Sequence, residues 1–383
     1  MLELVFLLLP IAAAYGWYMG QRSAGQSQRQ QAKNYSKNYY EGLNFLLSDQ
    51  PDKAVDRFIE LLQVDEETFD THLSLGNLFR KRGEVDRSIR IHQNLIARPH
   101  LLPEQRNDAM MALGRDYLAS GLYDRAEDIF LKLVKQPDHT EEAERHLLSI
   151  YEATKEWWKA IKVARKFGRV SRKDLKPIVA HYYCELAVLE APGKDQLKLY
   201  QKALSVDKLC VRAMIALIKL LKDSDTDYAF KLVRQLSSAA PEMVPESLEE
   251  IEQLYAGEGL QEEFQSFLRG IVERDGNVSC LLALVKSVSD SAGEEQAQSL
   301  LLSHLKRQPT MRGFHHLMTM QPHQLGTGAD RIKLLSDLVE KQIKLRPVYR
   351  CGQCGFPSHS LYWHCPSCKS WGQGKRIRGL DGE

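Results

Sequence analysis

The sequence predicts an all-α protein: a solenoid of repeated helical pairs, with an N-terminal transmembrane helix before it and a small C-terminal metal-binding domain after it. An uncharged apolar run opens the chain, amphipathic segments with a period of 34 residues fill the middle, and four cysteines in two C-x-x-C pairs stand near the end. The predicted domains are an anchor (1–20), a basic linker (21–34), the repeats (35–346) and the metal-binding domain (347–383).

The length and the net charge of the chain limit the classes of function that it could have. The 383 residues exceed one ordinary domain, and no low-complexity tract divides them. The formal net charge of +2 gives no global field that would indicate nucleic acid or an acidic substrate as a partner. The positive charge is local, since basic residues cluster just after the apolar run and again near the C-terminal end.

The apolar run from Leu4 to Gly20 contains no charged residue. Counted from Leu2, a helix here would reach about 28 Å, close to the thickness of the hydrocarbon core of a bilayer. The basic residues follow the run from Arg22 onward, so the positive-inside rule predicts an external N-terminus and a cytoplasmic body. A cleaved signal peptide and a buried soluble helix are the competing interpretations. A signal peptide needs a basic region before the run, where only Glu3 stands.

The middle of the chain repeats a helical pair. The same pattern of small and aromatic residues recurs around Gly42, Gly76 and Gly114, and 34 residues separate Gly42 from Gly76, as they do Ala126 from Ala160. Small residues at the eighth and twentieth positions let two helices approach closely, while aromatic residues fill the space between them. A period of 34 with this pattern resembles the tetratricopeptide repeat, a helix–turn–helix unit. Weaker units keep the same phase and are centred on Gln196, Ala229, Phe264 and Ala297.

About eight such units precede Pro309, and stacks of this kind present a groove that binds extended or helical peptides. At the groove-facing positions, apolar residues of the first unit adjoin polar and basic residues of the next two. The candidate protein-binding residues are Leu43, Leu46, Leu47, Asn77, Arg80, Lys81 and Arg115. This surface suits a peptide with a hydrophobic anchor and a carboxylate. An ordinary solvated helix face is the competing interpretation.

Near the C-terminal end, two C-x-x-C turns ten residues apart have the spacing of a tetrathiolate metal site. The predicted ligands are Cys351, Cys354, Cys365 and Cys368. A segment of about 37 residues cannot bury enough apolar surface to fold alone, and one bound metal ion would supply the missing stability. Two disulfides, or a ligand role for His359 or His364, are the alternatives. Trp363 and Trp371 are expected to pack over the turns or against the last helices.

Nothing in the sequence indicates an enzyme. It contains no Walker loop, dinucleotide-binding turn, nucleophile elbow or H-E-x-x-H motif. The other three cysteines stand among apolar helical neighbours and are expected to be buried free thiols: Cys184, Cys210 and Cys280. A nucleic-acid-binding ribbon is one rival function, and it would use Lys375, Arg376 and Arg378. The nearly neutral charge and the predicted membrane placement argue against it.

Taken over its whole length, this arrangement resembles the lipopolysaccharide assembly protein B family of Gram-negative bacteria. The resemblance is most specific near the C-terminal end, in the motifs CGQCGF from Cys351, LYWHCPSC from Leu361 and IRGLDG from Ile377. The first cysteine turn is similar to that of rubredoxin. The second departs from it, since Lys369 stands where rubredoxins have glycine.

The resemblance implies a non-enzymatic inner-membrane protein that faces the cytoplasm and controls lipopolysaccharide synthesis. Its implied partners are the membrane AAA+ metalloprotease FtsH, the deacetylase LpxC, whose breakdown it promotes, and an inner-membrane regulator that senses lipopolysaccharide. The resemblance slightly favours iron over zinc, between which four thiolates do not discriminate. A membrane-tethered, rubredoxin-like electron-transfer protein is the alternative function. The sequence leaves open whether the chain forms a homo-oligomer.

Overall fold

The computed structural model describes residues 69–99, 101–167, 175–320 and 329–379, together with Tyr15, Met19, Asn44 and Phe45. Nearly all of the predicted anchor and all of the basic linker lie outside these residues. So does most of the first repeat, including Leu43, Leu46 and Leu47. Within the described part of the chain, no helix combines the length and the apolar character needed to cross a membrane.

Helices account for nearly all regular structure among the described residues, and three short strands follow them. This confirms a mostly helical fold with a small C-terminal domain. The chain divides into two compact units, residues 1–154 and residues 155–383. The helices are numbered here in chain order from Phe69.

The described part of the first unit consists of consecutive helices that pack against one another. They are α1 (Phe69–Lys81), α2 (Val85–Ile96), α3 (Pro103–Ala119), α4 (Tyr123–Leu133) and α5 (Thr140–Thr154), with a 3₁₀ turn at Pro137–His139. Apolar residues facing one another across these helices form the core: Phe79 packs with Ile91, and Phe69 packs with Leu95 and Ala109. Burial of these side chains supplies the main stabilisation of the helical pairs.

Two glycines allow the helices of a pair to approach closely. A Cβ atom added to Gly76 on α1 would lie 2.4 Å from Nε2 of His92 on α2. One added to Gly114 on α3 would lie 2.7 Å from Cζ of Phe130 on α4. Any other residue would force the two rings away, so the repeat pattern correctly predicted close approach at the eighth position.

The second unit begins with α6 (Trp157–Phe167) and continues as pairs of helices that pack together. The pairs are α7 (Lys176–Leu189) with α8 (Lys194–Val206), α9 (Val211–Leu221) with α10 (Thr226–Ala239), α11 (Leu248–Gly257) with α12 (Gln261–Asp275), α13 (Val278–Ala292) with α14 (Glu294–Arg307), and α15 (Met311–Met320) with α16 (Ala329–Leu345). A 3₁₀ helix, Pro241–Ser247, precedes α11. Ala229, Phe264 and Ala297, on which the weaker repeats were centred, are buried in the second helix of their pairs.

A three-stranded antiparallel sheet completes the second unit, with the strand order β2-β1-β3. The strands are β1 (Tyr349–Cys351), β2 (Pro357–Ser358) and β3 (Gly374–Arg376). Arg350 pairs with Pro357 on one side, and Cys351 pairs with Gly374 on the other. The first cysteine turn therefore leaves directly from the central strand, and the second lies in the loop between β2 and β3.

Candidate metal centre and its docking surface

The four cysteines predicted as ligands converge on one point. Their Sγ atoms all lie within 4.8 Å of one another. Distances of 3.7 Å separate the sulfurs of Cys351 and Cys368, and also those of Cys354 and Cys365. A tetrahedral ion with metal–sulfur bonds of about 2.3 Å needs sulfurs about 3.8 Å apart, whereas a disulfide needs about 2.05 Å. The geometry fits one tetrathiolate ion, and all four cysteines are free in this structure.

Equivalent backbone turns hold the two pairs of cysteines. The N–H of Gly355 donates to the Cys351 carbonyl at 2.9 Å, and the N–H of Lys369 donates to the Cys365 carbonyl at 3.0 Å. Gly355 has a φ of +77° and Lys369 a φ of +59°, so both turns use the left-handed region. Glycine adopts this conformation freely, while a residue with a Cβ atom does so at a steric cost. The departure from rubredoxin at Lys369 therefore produces local backbone strain.

Ser370 belongs to the site, although the cysteine spacing did not reveal it. Its Oγ lies 2.9 Å from Sγ of Cys368 and 3.7 Å from Sγ of Cys351. The hydrogen bond from the Ser370 side chain lowers the pKa of the Cys368 thiol. Hydrogen bonding to the backbone of Cys354 lowers the pKa of the Cys351 thiol to about 6. Each of these hydrogen bonds favours the thiolate of the cysteine that it reaches, and the thiolate is the form that binds a metal ion. Desolvation and hydrogen bonding among the sulfurs act in the opposite direction at Cys354 and raise the pKa of its thiol to about 11.

The histidines near the cysteines lie apart from the ligand group. That group consists of the four cysteines alone. His359 is exposed, and the ring of His364 stacks on Trp371 with ring centroids 4.2 Å apart. His364 therefore contributes to packing beside the site.

Trp371 attaches this domain to helices α6 and α7. Its ring centroid lies 6.1 Å from that of Trp157, 5.3 Å from that of His181 and 5.7 Å from that of Tyr182. Trp363 lies 6.0 Å from the same histidine. The tryptophans were expected over the cysteine turns or against the last helices. Trp371 does stack on His364, beside the second turn, but the helices that it contacts begin the second unit and are not the last ones. No local pattern in the sequence indicated this partner.

His181 is held neutral at this contact. Burial, with smaller contributions from Arg212 and His364, lowers the pKa of His181 to about 3. The neighbouring backbone also comes close, since a Cβ atom on Gly372 would lie 2.9 Å from the histidine Nε2. The imidazole therefore serves as a flat, uncharged packing surface for Trp371.

A polar contact joins the sheet to the 3₁₀ helix. Nε of Arg376 donates to Oε1 of Glu246 at 2.9 Å, and the hydroxyl of Tyr349 donates to the same oxygen at 2.7 Å. Arg376 also donates to Oγ of Ser279 on α13 at 3.2 Å. The Arg376 and Glu246 side chains are 11% and 17% exposed, so solvent screens this ion pair less than an ordinary surface pair. Because Arg376 pairs with Glu246 and Arg378 pairs with Asp275, two of the three cations of the nucleic-acid hypothesis already have partners.

In the first unit, Arg80 is part of a buried polar network. Its guanidinium donates to Oδ1 of Asp116 at 2.8 Å and to Oδ1 of Asn77 at 2.7 Å. Ser88 donates to the same Asp116 oxygen at 2.7 Å, and Nδ1 of His92 lies 2.5 Å from the other. The Asp116 side chain is wholly buried, and that of Arg80 is 16% exposed. Arg80 therefore compensates a buried charge, a role that its groove-facing position did not indicate.

The other predicted protein-binding residues of the first unit lie nearby in the sequence. Arg115 forms an ion pair with Glu142 on α5, and Lys81 is exposed at the end of α1. Asn77 and Arg80 are hydrogen-bonded to each other, whereas Arg115 pairs with Glu142. The assignment of this set to a protein-binding face stays a prediction.

The three remaining cysteines are buried free thiols, as predicted. Cys184 on α7 and Cys210 at the start of α9 have sulfurs 4.0 Å apart, a contact that their sequence spacing did not predict. Burial raises the pKa of the Cys280 thiol to about 12, so this thiol is unreactive near neutral pH.

Comparisons with known proteins match both parts of this description. The family model for the rubredoxin metal binding domain matches residues 349–373, and the family model for the tetratricopeptide repeat matches residues 71–105. Among solved structures, Naa15/Naa10 bound to HypK-THB aligns over 81% of this chain and 54% of its own, with 15% identity. The TM-score of 0.38 is too low to establish a shared fold.

Two curated relatives align over nearly all of the sequence. Lipopolysaccharide assembly protein B of Escherichia coli K12 is 43% identical over 388 residues, which cover 100% of both chains. Lipopolysaccharide assembly protein B of Haemophilus influenzae is 39% identical and covers 97% of both. With identity of this extent, and with repeats and cysteine turns in the expected order, the chain belongs to the lipopolysaccharide assembly protein B family.

Proposed function

We propose that the protein is a non-catalytic adaptor in lipopolysaccharide assembly that brings the deacetylase LpxC to the membrane protease FtsH. The main support is 43% identity over the full length to a protein named for lipopolysaccharide assembly. The tetratricopeptide repeat supports a binding role, because stacked units of this kind offer long surfaces to peptides. LpxC and FtsH as partners follow from the family resemblance.

The adaptor acts at the inner membrane, with residues 1–20 as its anchor and its body in the cytoplasm. The uncharged run from Leu4 to Gly20 and the basic residues after it support this arrangement. Confinement to the membrane plane raises the effective concentration of membrane-bound partners without any new contact. It also places the adaptor within reach of a regulator that senses lipopolysaccharide in the same membrane.

The metal domain has a structural role in this adaptor. Its four cysteines would hold one ion, with iron favoured over zinc, and the ion would supply folding free energy that so small a domain lacks. Trp371 and Arg376 connect the ordered domain to helices of the second unit. Metal binding thereby keeps those helices in one arrangement.

Depletion of the protein in cells tests the adaptor function. After translation is blocked, the half-life of LpxC should lengthen several-fold in depleted cells. The intact chain should restore it, and a variant without residues 1–20 should not. The half-life of a second FtsH substrate is the control, because an adaptor acts on its own client. An unchanged LpxC half-life on depletion would contradict the proposal.

Electron transfer is the second candidate function, and the exposure of Cys354 and Cys368 favours it because a redox centre must be accessible to its partner. Zinc does not change valence, so a zinc-loaded protein cannot transfer electrons. The protein produced in zinc-rich, iron-limited medium, with its metal content checked by elemental analysis, separates the two functions. Normal LpxC turnover with zinc alone would rule out electron transfer.

A further inference from the structure

A cleft of about 520 Å³ opens where the metal domain meets the helices of the second unit. Arg376, Arg378 and Gly379 line one part of it. The connections from α12 to α13 and from α14 to α15 line most of the remainder. A volume of this size accommodates a small ligand or a short peptide segment.

Arg307 gives the cleft a positive charge that is available to a ligand. Arg376 is paired with Glu246, and Arg378 is paired with Asp275. Arg307 is exposed at the end of α14, and no ion pair joins it to another described residue. This side chain can therefore pair with a carboxylate from outside the chain.

Two helix starts reinforce this preference for an anion. Helix α13 begins beside the cleft after Asn277, and α15 begins there after Thr310. Each of these residues accepts a hydrogen bond from a first-turn N–H, that of Cys280 and that of Gly313. The backbone dipoles of both helices place partial positive charge at these ends. A carboxylate near Arg307 would interact favourably with both.

Asp275 favours a ligand that also carries a hydrogen-bond donor. Its side chain is only 6% exposed, and Oδ1 accepts a hydrogen bond from Arg378. Oδ2 has no hydrogen-bond partner among the described residues. A buried carboxylate oxygen without a donor carries a desolvation penalty, which an N–H group that reached it from the cleft would remove. Glu242 also lines the cleft, so a ligand must bring donors as well as a carboxylate.

A peptide meets both requirements, and a phosphate or pyrophosphate group alone does not. Backbone N–H groups can donate to Asp275, one acidic side chain can pair with Arg307, and an apolar side chain can contact Val278 and Pro309. Phosphate oxygens bring no donor for Asp275, and Glu242 repels a polyanion. We propose that this cleft binds an extended peptide segment of a partner protein, in which one acidic residue lies beside an apolar one.

This surface is distinct from the predicted protein-binding face, all of whose residues belong to the first unit. It would give the adaptor a second site for a partner. The proposal does not require LpxC or FtsH to be that partner, because peptide binding is measured with the protein alone. If the cleft binds no peptide, the test of LpxC turnover still stands. If LpxC turnover does not depend on the protein, peptide binding at the cleft can still be tested.

Fluorescence polarisation with the full chain and labelled octapeptide pools tests the proposal. One pool fixes an aspartate beside a leucine, and a matched pool has asparagine in place of the aspartate. The aspartate pool should bind roughly tenfold more tightly, since a charge-assisted hydrogen bond is stronger than a neutral one. Arg307→Glu and Arg307→Gln should both remove this preference.

Arg269→Glu is the matched control, because Arg269 is exposed on α12 and does not line the cleft. It makes the same change in net charge and should bind the aspartate pool like the parent. Hydrogen exchange should show that the aspartate pool protects residues 275–280 and 307–312. Equal binding of the two pools, equal effects of Arg307→Glu and Arg269→Glu, or protection confined to other residues would overturn the proposal. So would displacement of the peptide by inorganic pyrophosphate at a comparable concentration, which would identify a phosphate site.

Discussion

Trp371 of the metal domain stacks on His181 of α7, with ring centroids 5.3 Å apart and ring planes 25° from parallel. The two residues are far apart in the sequence, and both are buried. Because burial lowers the pKa of His181 to about 3, the contact is uncharged near neutral pH. The docking of this domain therefore depends partly on aromatic packing and partly on the ion pair between Arg376 and Glu246.

Truncation of Trp371 should release the metal domain from the helices. Trp371→Ala removes ring contacts with Trp157, His181 and Tyr182, and loss of a buried tryptophan costs about 3 kcal/mol or more of unfolding free energy. Chemical denaturation would measure this loss, and limited proteolysis would show earlier cleavage before Tyr349. Trp158→Ala is the control, since Trp158 on α6 is 50% exposed and should matter much less. Similar losses for the two variants would contradict a docking role for Trp371.

Replacement of His181 by phenylalanine should preserve docking and remove its dependence on pH. The pKa of His181 is lower in the folded protein than the unfolded value of about 6.5, so the unfolded chain binds the proton more readily. The neutral histidine's stabilising contribution is therefore complete above about pH 6.5 and falls as the pH drops towards 3. At about pH 5, protonation of His181 in the unfolded chain should lower the unfolding free energy of the parent by about 2 kcal/mol. His181→Phe should lose less stability than the parent over the same range, and parallel pH profiles of unfolding free energy would contradict this assignment.

Loss of the Arg376 side chain should weaken the second docking contact. Arg376→Leu leaves Glu246 with only the Tyr349 hydroxyl as a partner in this contact and should cost about 3 kcal/mol, the usual cost of breaking a largely buried ion pair. The neighbouring Lys375 is exposed, so Lys375→Leu should change stability by less than about 0.5 kcal/mol. The unfolding free energy of both variants, measured in urea, tests whether this ion pair stabilises the docked domain. A smaller loss for Arg376→Leu than for Lys375→Leu would mean that this ion pair does not hold the domain.

Metal affinity should depend on Ser370 as well as on the cysteines. Serine in place of any of the four ligands should abolish stoichiometric metal binding, whereas Ser370→Ala should weaken it roughly tenfold by removing the hydrogen bond to Cys368. Competition with a chromophoric chelator gives the affinities. Ser358→Ala is the control, because that hydroxyl donates to the carbonyl of Ser360, away from the sulfurs. An unchanged affinity in Ser370→Ala would show that this hydroxyl does not support the site.

The second cysteine turn should become more stable when Lys369 is replaced by glycine. Lys369 has a φ of +59°, where a Cβ atom costs about 1–2 kcal/mol and glycine avoids most of that cost. Lys369→Gly should therefore stabilise the domain by about 1 kcal/mol. Lys369→Ala removes the same charge but keeps the Cβ atom, so it should give no comparable gain. Equal stabilisation by the two substitutions, measured as resistance to chelator-induced unfolding, would point to charge and not to backbone strain.

The sequence predicted what depends on local spacing. Cys351 and Cys354 are close in the chain, and two such turns can chelate an ion by themselves, so spacing alone predicted that the four cysteines would cluster. Gly76 and Gly114 marked the close helix contacts for the same reason, since a helical pair is built from neighbouring residues.

The docking partners depend on the path of the whole chain, and no local pattern reveals them. In the sequence, His181 is one histidine within an apolar segment, and Glu246 is one acidic residue among many. The role of Arg80 was also hidden, because its partner Asp116 lies 36 residues further along in another helix. Position on a helix face indicated which way Arg80 could point but not which charge it meets.

The contact between Trp371 and His181 links two equilibria that would otherwise be independent: metal binding by the C-terminal domain and the folding of helix α7. In a simple repeat protein each helical pair is stabilised only by its neighbours. If the C-terminal domain needs its metal ion to fold, as proposed above, then helix α7 is also stabilised by that ion, and metal occupancy contributes to the order of the helices. Thermodynamic reciprocity gives the converse: whatever favours the docked arrangement tightens metal binding by the same factor. Metal affinity can therefore report on events at the helices, even though none of those helices supplies a ligand.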